Sequence, residues 1–367
     1  MVIDRRSWLT GLAGLVATSA TRAAAVAGPR EAPRYAAARS GRDGRYSAAI
    51  LDSAGRGINS VVLPGRGHDA TFCPRTRRCV VFARRPGNFA VAFSVDRNEA
   101  PIAFTTPTDR HFYGHGVFSG DGRLLYATEN DFDAARGVIG VYDATAAFRR
   151  LGEFPSYGIG PHDMALMQGG AVLVVANGGL REHPDIGGGR RVLNPDAVET
   201  SLVYIDPRSG DLVERHDLPG TSQLSLRHLD VGAGDTIVLG AQAQGGGGRA
   251  MPMLFRHRRQ GRLETIALPD TLNAGLVGYV SSVAVSRDGR SACVTSSKGG
   301  VALILEVATG RVRATRRVRD VSGVAAAGGR AADAFVLTTG EGDILGMGEA
   351  QRHQSTAWRW DNHLAAG

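Results

Sequence analysis

The sequence predicts an all-β fold, a β-propeller, and three observations carry the prediction. Helix-period segments are almost absent. Short apolar or alternating runs are punctuated by Gly, Pro, Asp and Asn, as strands and turns require. One strand-and-turn unit then recurs at intervals of roughly 40–50 residues, the size of a four-stranded blade. Glycine, at 50 of 367 residues, is turn punctuation on this reading.

The first element of the unit is a hydrophobic strand ending in an acid: Ala49-Ile50-Leu51-Asp52, Phe93-Ser94-Val95-Asp96, Val141-Tyr142-Asp143, Val203-Tyr204-Ile205-Asp206 and Ile304-Leu305-Glu306. These acids lie 44, 47, 63 and 100 residues apart, the last interval holding two units, with Leu254-Phe255-Arg256 between them and its acid lost. The acids read as turn formers. A short strand ending in proline follows, at Leu63-Pro64, Thr106-Pro107, Phe154-Pro155, Leu218-Pro219 and Leu268-Pro269. The chain then crosses to a strand that often opens on histidine. The openings are His68, His115, His162, His228, Ser282, Gly323 and His363, spaced 47, 47, 66, 54, 41 and 40. A turn such as Ser119-Gly120-Asp121-Gly122-Arg123 leads from each to a strongly apolar strand.

Seven openings give seven blades of four antiparallel strands, in the manner of WD40 or YVTN repeats. The first acid-ended strand has no opening before it, and the last opening has no strands after it. Strands from both termini therefore close the last blade and remove an exposed sheet edge. Six blades is the alternative, if the Trp360 to Gly367 tail packs alongside.

Asp4-Arg5-Arg6-Ser7-Trp8-Leu9, an apolar stretch to Ala20 and the small residues Ala23-Ala24-Ala25-Val26-Ala27 read as a twin-arginine signal peptide over residues 1–27. The mature protein is expected to be periplasmic, with a flexible linker over 28–44 and a single propeller domain over 45–367. Net charge is +8, but the bases, all arginine except Lys298, are scattered rather than clustered with aromatics, which excludes a nucleic-acid surface. No apolar run reaches the roughly 18 residues of a spanning helix, so an integral membrane protein is not expected. Cys73 and Cys79 flank a turn; an oxidising compartment permits a disulfide there, and two free thiols fit as well. Cys293 reads as a buried small hydrophobe.

Inner strands of a propeller line its axis, so equivalent positions form a ring. His68, His115, His162, His228 and His363 share one such position and are the candidate metal ligands, converging at one mouth of the channel. Three or four neutral imidazoles suffice to hold iron or copper. Ser282 and Gly323 would leave the opposite side open, as an exchangeable metal requires. Loops between second and third strands, among them Arg84-Arg85-Pro86-Gly87 and Gln242-Ala243-Gln244, lie on the same face. A long insertion over residues 180–199 reads as a lid or a docking surface. The competing reading is structural: a Gly-His pair at this crossover in WD-type propellers hydrogen-bonds within its blade. His183 reads as loop filler, and His111, His216, His257 and His353 as surface residues. No nucleophile elbow, phosphate-binding loop or Cys-x-x-Cys-His is present, so no catalytic residue can be named and enzymatic activity stays open.

The twin-arginine leader, together with Gly-His-Asp-Ala from Gly67, Phe-Ala-Arg-Arg-Pro-Gly from Phe82, Tyr-Ala-Thr-Glu-Asn-Asp from Tyr126, Gly-Pro-His-Asp from Gly160, Val-Ala-Asn-Gly-Gly from Val175, Ser-Leu-Arg-His-Leu from Ser225 and Trp-Asp-Asn-His from Trp360, resembles one exported bacterial family. It is the family catalogued as domain of unknown function 1513, and the resemblance covers nearly the whole mature chain. It implies a propeller-like fold and a setting beside imelysin-type lipoproteins and di-haem oxidoreductase-like proteins of periplasmic iron acquisition. It supplies no catalytic residues. Two functions follow: a periplasmic propeller that binds iron, copper or a metal complex at the histidine ring, or a non-enzymatic scaffold whose loop face docks an iron-uptake partner while the histidines are structural.

Overall fold

The expected strands form, and they form in fours. The computed structural model describes residues 35–96, 99–189, 191–218, 223–245, 251–327, 333–348 and 353–367. The signal peptide expected over 1–27 lies outside these. Seven antiparallel sheets are present. Blade 1 comprises Gly67–Phe72, Arg78–Ala83, Phe89–Ser94 and Ile102–Thr105; blade 2, Arg110–Phe118, Leu124–Asp131, Arg136–Asp143 and Arg149–Pro155; blade 3, Pro161–Met167, Val172–Asn177, Ser201–Ile205 and Leu212–Asp217. Blade 4 comprises Leu224–Val231, Ile237–Ala243, Leu254–His257 and Glu264–Thr265; blade 5, Ser282–Val285, Ser291–Ser296, Val301–Glu306 and Val312–Arg317; blade 6, Val321–Ala326, Ala334–Thr339, Asp343–Gly348 and His353–Ser355. The unit that lost its acid is thus the third strand of blade 4.

Blade 7 is assembled from both ends of the chain. Tyr35–Ser40, Tyr46–Leu51 and Gly57–Leu63 form its outer three strands, and Arg359–Trp360 with Ala365–Ala366 pair along the free edge of Tyr35–Ser40. Arg39 faces Trp360, Ala36 faces Ala365, and the Asp361 amide donates to the Ala38 carbonyl at 2.9 Å. The flexible linker expected over 28–44 is corrected over Tyr35–Ser40, which is a strand, because its continuous run of small apolar residues fits a sheet flanked on both faces. The tail from Trp360 does not merely pack alongside. Inner strands of successive blades neighbour one another around the ring, from Gly67–Phe72 through each blade to Ala365–Ala366 and back.

Hydrophobic patterning explains the radial order. Second strands are buried throughout, as in Val172–Asn177 and Ala334–Thr339, and read as continuous apolar runs. Outer strands alternate between solvent and sheet, as Val312–Arg317 does. The core lies between blades rather than within them: one apolar cluster joins Val80 and Phe82 of blade 1 to Phe112, Leu125 and Tyr142 of blade 2, and another joins blades 3, 4 and 5. The recurring acids are turn formers, since Asp52 Oδ1 accepts from the Ala54 and Arg56 amides at 2.8 Å and Asp206 Oδ1 from the Arg208 amide at 2.9 Å. Cys73 and Cys79 are free and buried. Cys73 packs toward blade 2 and Cys79 toward blade 7, on opposite faces of their sheet, which keeps the thiols apart. Among the described residues no helix is long and apolar enough to cross a membrane.

Trp360 tests the closure. It is 4% exposed and packs with Tyr35, Leu51, Val336 and Ile344, joining blade 7 to blade 6. Trp360→Ala is expected to lower unfolding free energy by about 3–5 kcal/mol in chemical denaturation, the range for a large buried aromatic. A loss below about 1 kcal/mol, the scale of a surface change, would mean that the tail does not close the ring.

Candidate metal centre at the channel mouth

Local register brings the histidines inward. The pairing of first and second strands slips between Gly67 and Ala70, Phe112 and Gly116, Pro161 and Asp163, and Leu226 and His228. A bulge of this kind bends the strand and re-aims a side chain, and each of these four sits at or beside the histidine. Ser282, which opens blade 5 without a histidine, pairs in uninterrupted register with Thr295, whereas blade 6, which opens on Gly323, slips between Val321 and Val324, so the bulge is not confined to the histidine-bearing blades. Gly114, at φ +107°, lies against His68: a Cβ there would stand 2.5 Å from His68 Cδ2. Its glycine is required by both the backbone and the neighbouring imidazole.

All five imidazoles meet at the axis. They are 1–6% exposed, and ring centroids lie 4.5 Å apart for His68 and His363, 4.7 Å for His162 and His228, and 4.6 Å for His115 and His363. His115 is the hub. It shares one triplet with His68 and His162 and a second with His228 and His363, and within each triplet the potential ligand atoms lie within 4.8 Å of one another. The expectation that Ser282 and Gly323 leave one side open is corrected. Ser282 is buried, and the place of a Gly323 Cβ is filled by Thr338 Oγ1 at 2.3 Å and the His363 backbone at 3.0 Å. Gly323 admits the C-terminal segment that carries the fifth histidine.

Carboxylates orient two of the rings. His68 Nδ1 is 3.1 Å from Asp361 Oδ1, and Asp361 also takes Arg66 Nε at 2.5 Å and Arg84 Nη1 at 2.9 Å. Despite its burial, the bond to His68 and the two guanidiniums hold Asp361 far below the usual carboxylate range. His115 Nδ1 lies 3.2 Å from both Asp69 Oδ2 and Asp163 Oδ1, although neither contact is aligned as a hydrogen bond. Burial disfavours the His115 cation, but Asp163 and Asp69 outweigh it and raise its pKa to about 10. His68, His162 and His228 are pushed well below the ordinary histidine value, first by burial and then by neighbouring charge. Burial, reinforced by His115, lowers His363 to about 4. His115 Nε2, His162 Nδ1, His228 Nδ1 and His363 Nε2 are buried with no hydrogen-bond partner. The WD-type reading, with each imidazole satisfied inside its own blade, does not describe these four rings.

Above the rings the face is basic. A small cavity of about 40 Å3 is lined by His68, His162 and His228 together with Arg84, Arg85 and Arg227. The loops expected on this face do supply Arg84, Arg85 and Gln242. The insertion over 180–199 reaches the same mouth, where Glu182 Oε2 faces Arg85 Nη1 at 2.8 Å. Sequence reasoning missed Asp69, Asp163 and Asp361, although each stands within two residues of a ring histidine. It also misplaced two histidines. His257 is buried against Tyr204 and His216, and His111 is buried against Phe132, with Nδ1 3.0 Å from the Phe112 carbonyl oxygen and Nε2 3.0 Å from Asn130 Nδ2. Glu214, His216 and His257 form another cluster of metal-ligand type. Its donors are already engaged: His216 Nε2 contacts Glu214 at 2.6 Å, His257 bonds Tyr204, and Arg259 approaches Glu214 at 3.4 Å.

The fold and axis define a seven-bladed β-propeller with a buried histidine cluster at one end of its channel. Residues 61–367 match the family described as "Protein of unknown function (DUF1513)", and the chain belongs to that family. No curated protein matches it. Among solved structures it is similar to a chain of Kuenenia stuttgartiensis hydrazine synthase, with 13% identity and a TM-score of 0.60 over 88% of this chain and 96% of that one. It is also similar to a functionally unknown protein from Desulfotomaculum acetoxidans, with 10% identity and a TM-score of 0.60 over 91% and 99%. At such identities the likeness is one of fold alone.

His111, buried beneath the insertion, gives the acid response a testable component. Burial lowers its pKa to about 4. Below the ordinary value of about 6.5 the unfolded chain takes up a proton that folded His111 refuses, so stability falls between about pH 6.5 and pH 4. One such proton contributes a slope of about 1.4 kcal/mol per pH unit. Unfolding measured across that range is expected to be shallower by about one proton in His111→Gln; an unchanged slope would contradict the assignment.

Proposed function

We propose that this protein binds iron or copper, as an ion or a complex, at His68, His115, His162, His228 and His363, and that it does so in the periplasm as part of an iron-acquisition system. The observation that carries the metal reading is the set of unpartnered imidazole nitrogens at the axis. A buried polar atom left without a partner costs about 1–3 kcal/mol, and a fold keeps several such atoms together where a ligand will satisfy them. The donor set also fits: His68, His162, His228 and His363 are held neutral and neutral imidazoles suit iron and copper, His115 would release its proton on ligation, and His68 against Asp361 reproduces the carboxylate–histidine arrangement that fixes the ring of a metal ligand. The sequence supports export through its leader, and the family's usual neighbours support the iron-acquisition setting.

The test is metal uptake by the full mature chain. Anaerobic titration with Fe(II), and separately with Cu(II), is expected to give about one equivalent bound, with nitrogen hyperfine structure in the Cu(II) paramagnetic resonance spectrum. His115→Ala/His162→Ala is expected to lose that uptake; His228→Ala and His363→Ala, tested singly with circular dichroism as a fold control, are expected to weaken it at least tenfold. Absence of stoichiometric binding in the wild type, or uptake unchanged by these substitutions, would exclude the metal reading. Partner binding that depends on residues 180–199 would then favour the scaffold.

A further inference from the structure

The cavity above the imidazoles has a chemistry of its own. Its lining holds the guanidiniums of Arg84, Arg85 and Arg227 and no carboxylate. Arg84 is neutralised from behind by Asp361 and Arg85 by Glu182. Arg227 is different. It is 3% exposed, makes no ion pair among the described residues, and its Nε has no hydrogen-bond partner. The Tyr113 hydroxyl, 2% exposed and facing the same cavity, is also unpartnered. A buried guanidinium without a counterion is among the most expensive arrangements a fold can hold. Its planar fork is the side chain best matched to a carboxylate, and a phenol hydroxyl beside it adds a neutral donor.

We propose that Arg227 and Tyr113, with Arg85 beside them, form a subsite for a carboxylate group at the channel mouth, directly over the histidine cluster. The cavity admits one small group rather than a whole metabolite, since about 15 Å3 is already enough for a water and the space here is about 40 Å3. The occupant is a small free carboxylate or the carboxylate arm of a metal chelate. The first source needs no metal; the second rests on the metal reading above. In either case the carboxylate supplies the direct counterion that Arg227 lacks, since Glu182, whose charge also reaches it, is in contact with Arg85.

The experiment uses the metal-free mature chain, titrated with sodium formate and with citrate against chloride at matched ionic strength, by calorimetry and thermal unfolding. Formate or citrate is expected to bind saturably and raise the unfolding temperature. Arg227→Met, which keeps length and removes the buried charge, is expected to lose at least tenfold in affinity while unfolding no earlier than the unliganded wild type. Tyr113→Phe is expected to weaken binding severalfold. Formate binding identifies a free carboxylate; binding of citrate without formate identifies the arm of a chelator. No saturable response above chloride, or an equal response in Arg227→Met, would overturn the subsite. His363→Ala, a ring histidine outside the cavity lining, separates the two readings: it is expected to keep the formate response while weakening metal uptake at least tenfold, so failed metal uptake with intact anion binding counts only against the metal centre.

Discussion

The inner edge of the last blade is residues 359–366 laid antiparallel against Tyr35–Ser40, and the axial chemistry depends on that join. The same eight-residue tail carries Trp360 into the core between blades 6 and 7, Asp361 into the grip of Arg66, Arg84 and His68, and His363 into the imidazole cluster. Ring closure and site assembly are therefore one event. Until the ends meet, Asp361 cannot orient His68, and the hub imidazole of His115 lacks one of its four neighbours. A sheet edge at Tyr35–Ser40 would meanwhile stand open to pairing with another chain.

The residues at the mouth run against stability. Several imidazole nitrogens, a guanidinium and a phenol hydroxyl are buried without partners, each an unfavourable burial by itself. The rest of the ring offsets this through apolar contacts between neighbouring blades, which run continuously around the structure. Unmet polarity gathered among the axial imidazoles, Arg227 and Tyr113 supports the binding reading proposed above. The Glu214–His216–His257 cluster makes the contrast within the same molecule: comparable residues, but engaged with one another, with Tyr204 and with Arg259.

The propeller was legible because its determinants are local and repeated. Turn-forming acids such as Asp52 and Asp206, proline after the outer strand and glycine at the turns recur with the blade, so each unit reinforces the reading of the others. The histidine ring was legible for the same reason, as one position sampled seven times. What could not be read were features created by juxtaposition. The bulges that turn His115 and His162 inward leave no mark in composition. The filling of the space beside Gly323 by the chain's own end required knowing where that end lies. Burial of His111 and His257 depends on Phe132, in the turn after Leu124–Asp131, and on Tyr204, in the strand Ser201–Ile205. The strand at Tyr35–Ser40 reads as linker in the sequence because a run of small residues beside an expected leader looks like spacer until a partner strand is found for it.

The asymmetry of the ring gives the site a direction. Histidines come from five consecutive blades, 7, 1, 2, 3 and 4, while Ser282 and Gly323 of blades 5 and 6 are buried and closed by packing. Arg84, Arg85 and Arg227 belong to blades 1 and 4, so the basic collar stands over the histidine arc and not over the closed one. Anything reaching the imidazoles from this mouth meets guanidiniums first. On the proposed reading, a cation already carrying carboxylate ligands suits this mouth better than a bare one, because charges set in low-dielectric walls select the sign of what approaches. A metal centre and an anion subsite stacked on one axis are therefore not competing uses of the cavity. Together, as proposed above, they suit a cation that arrives with its counter-charge attached.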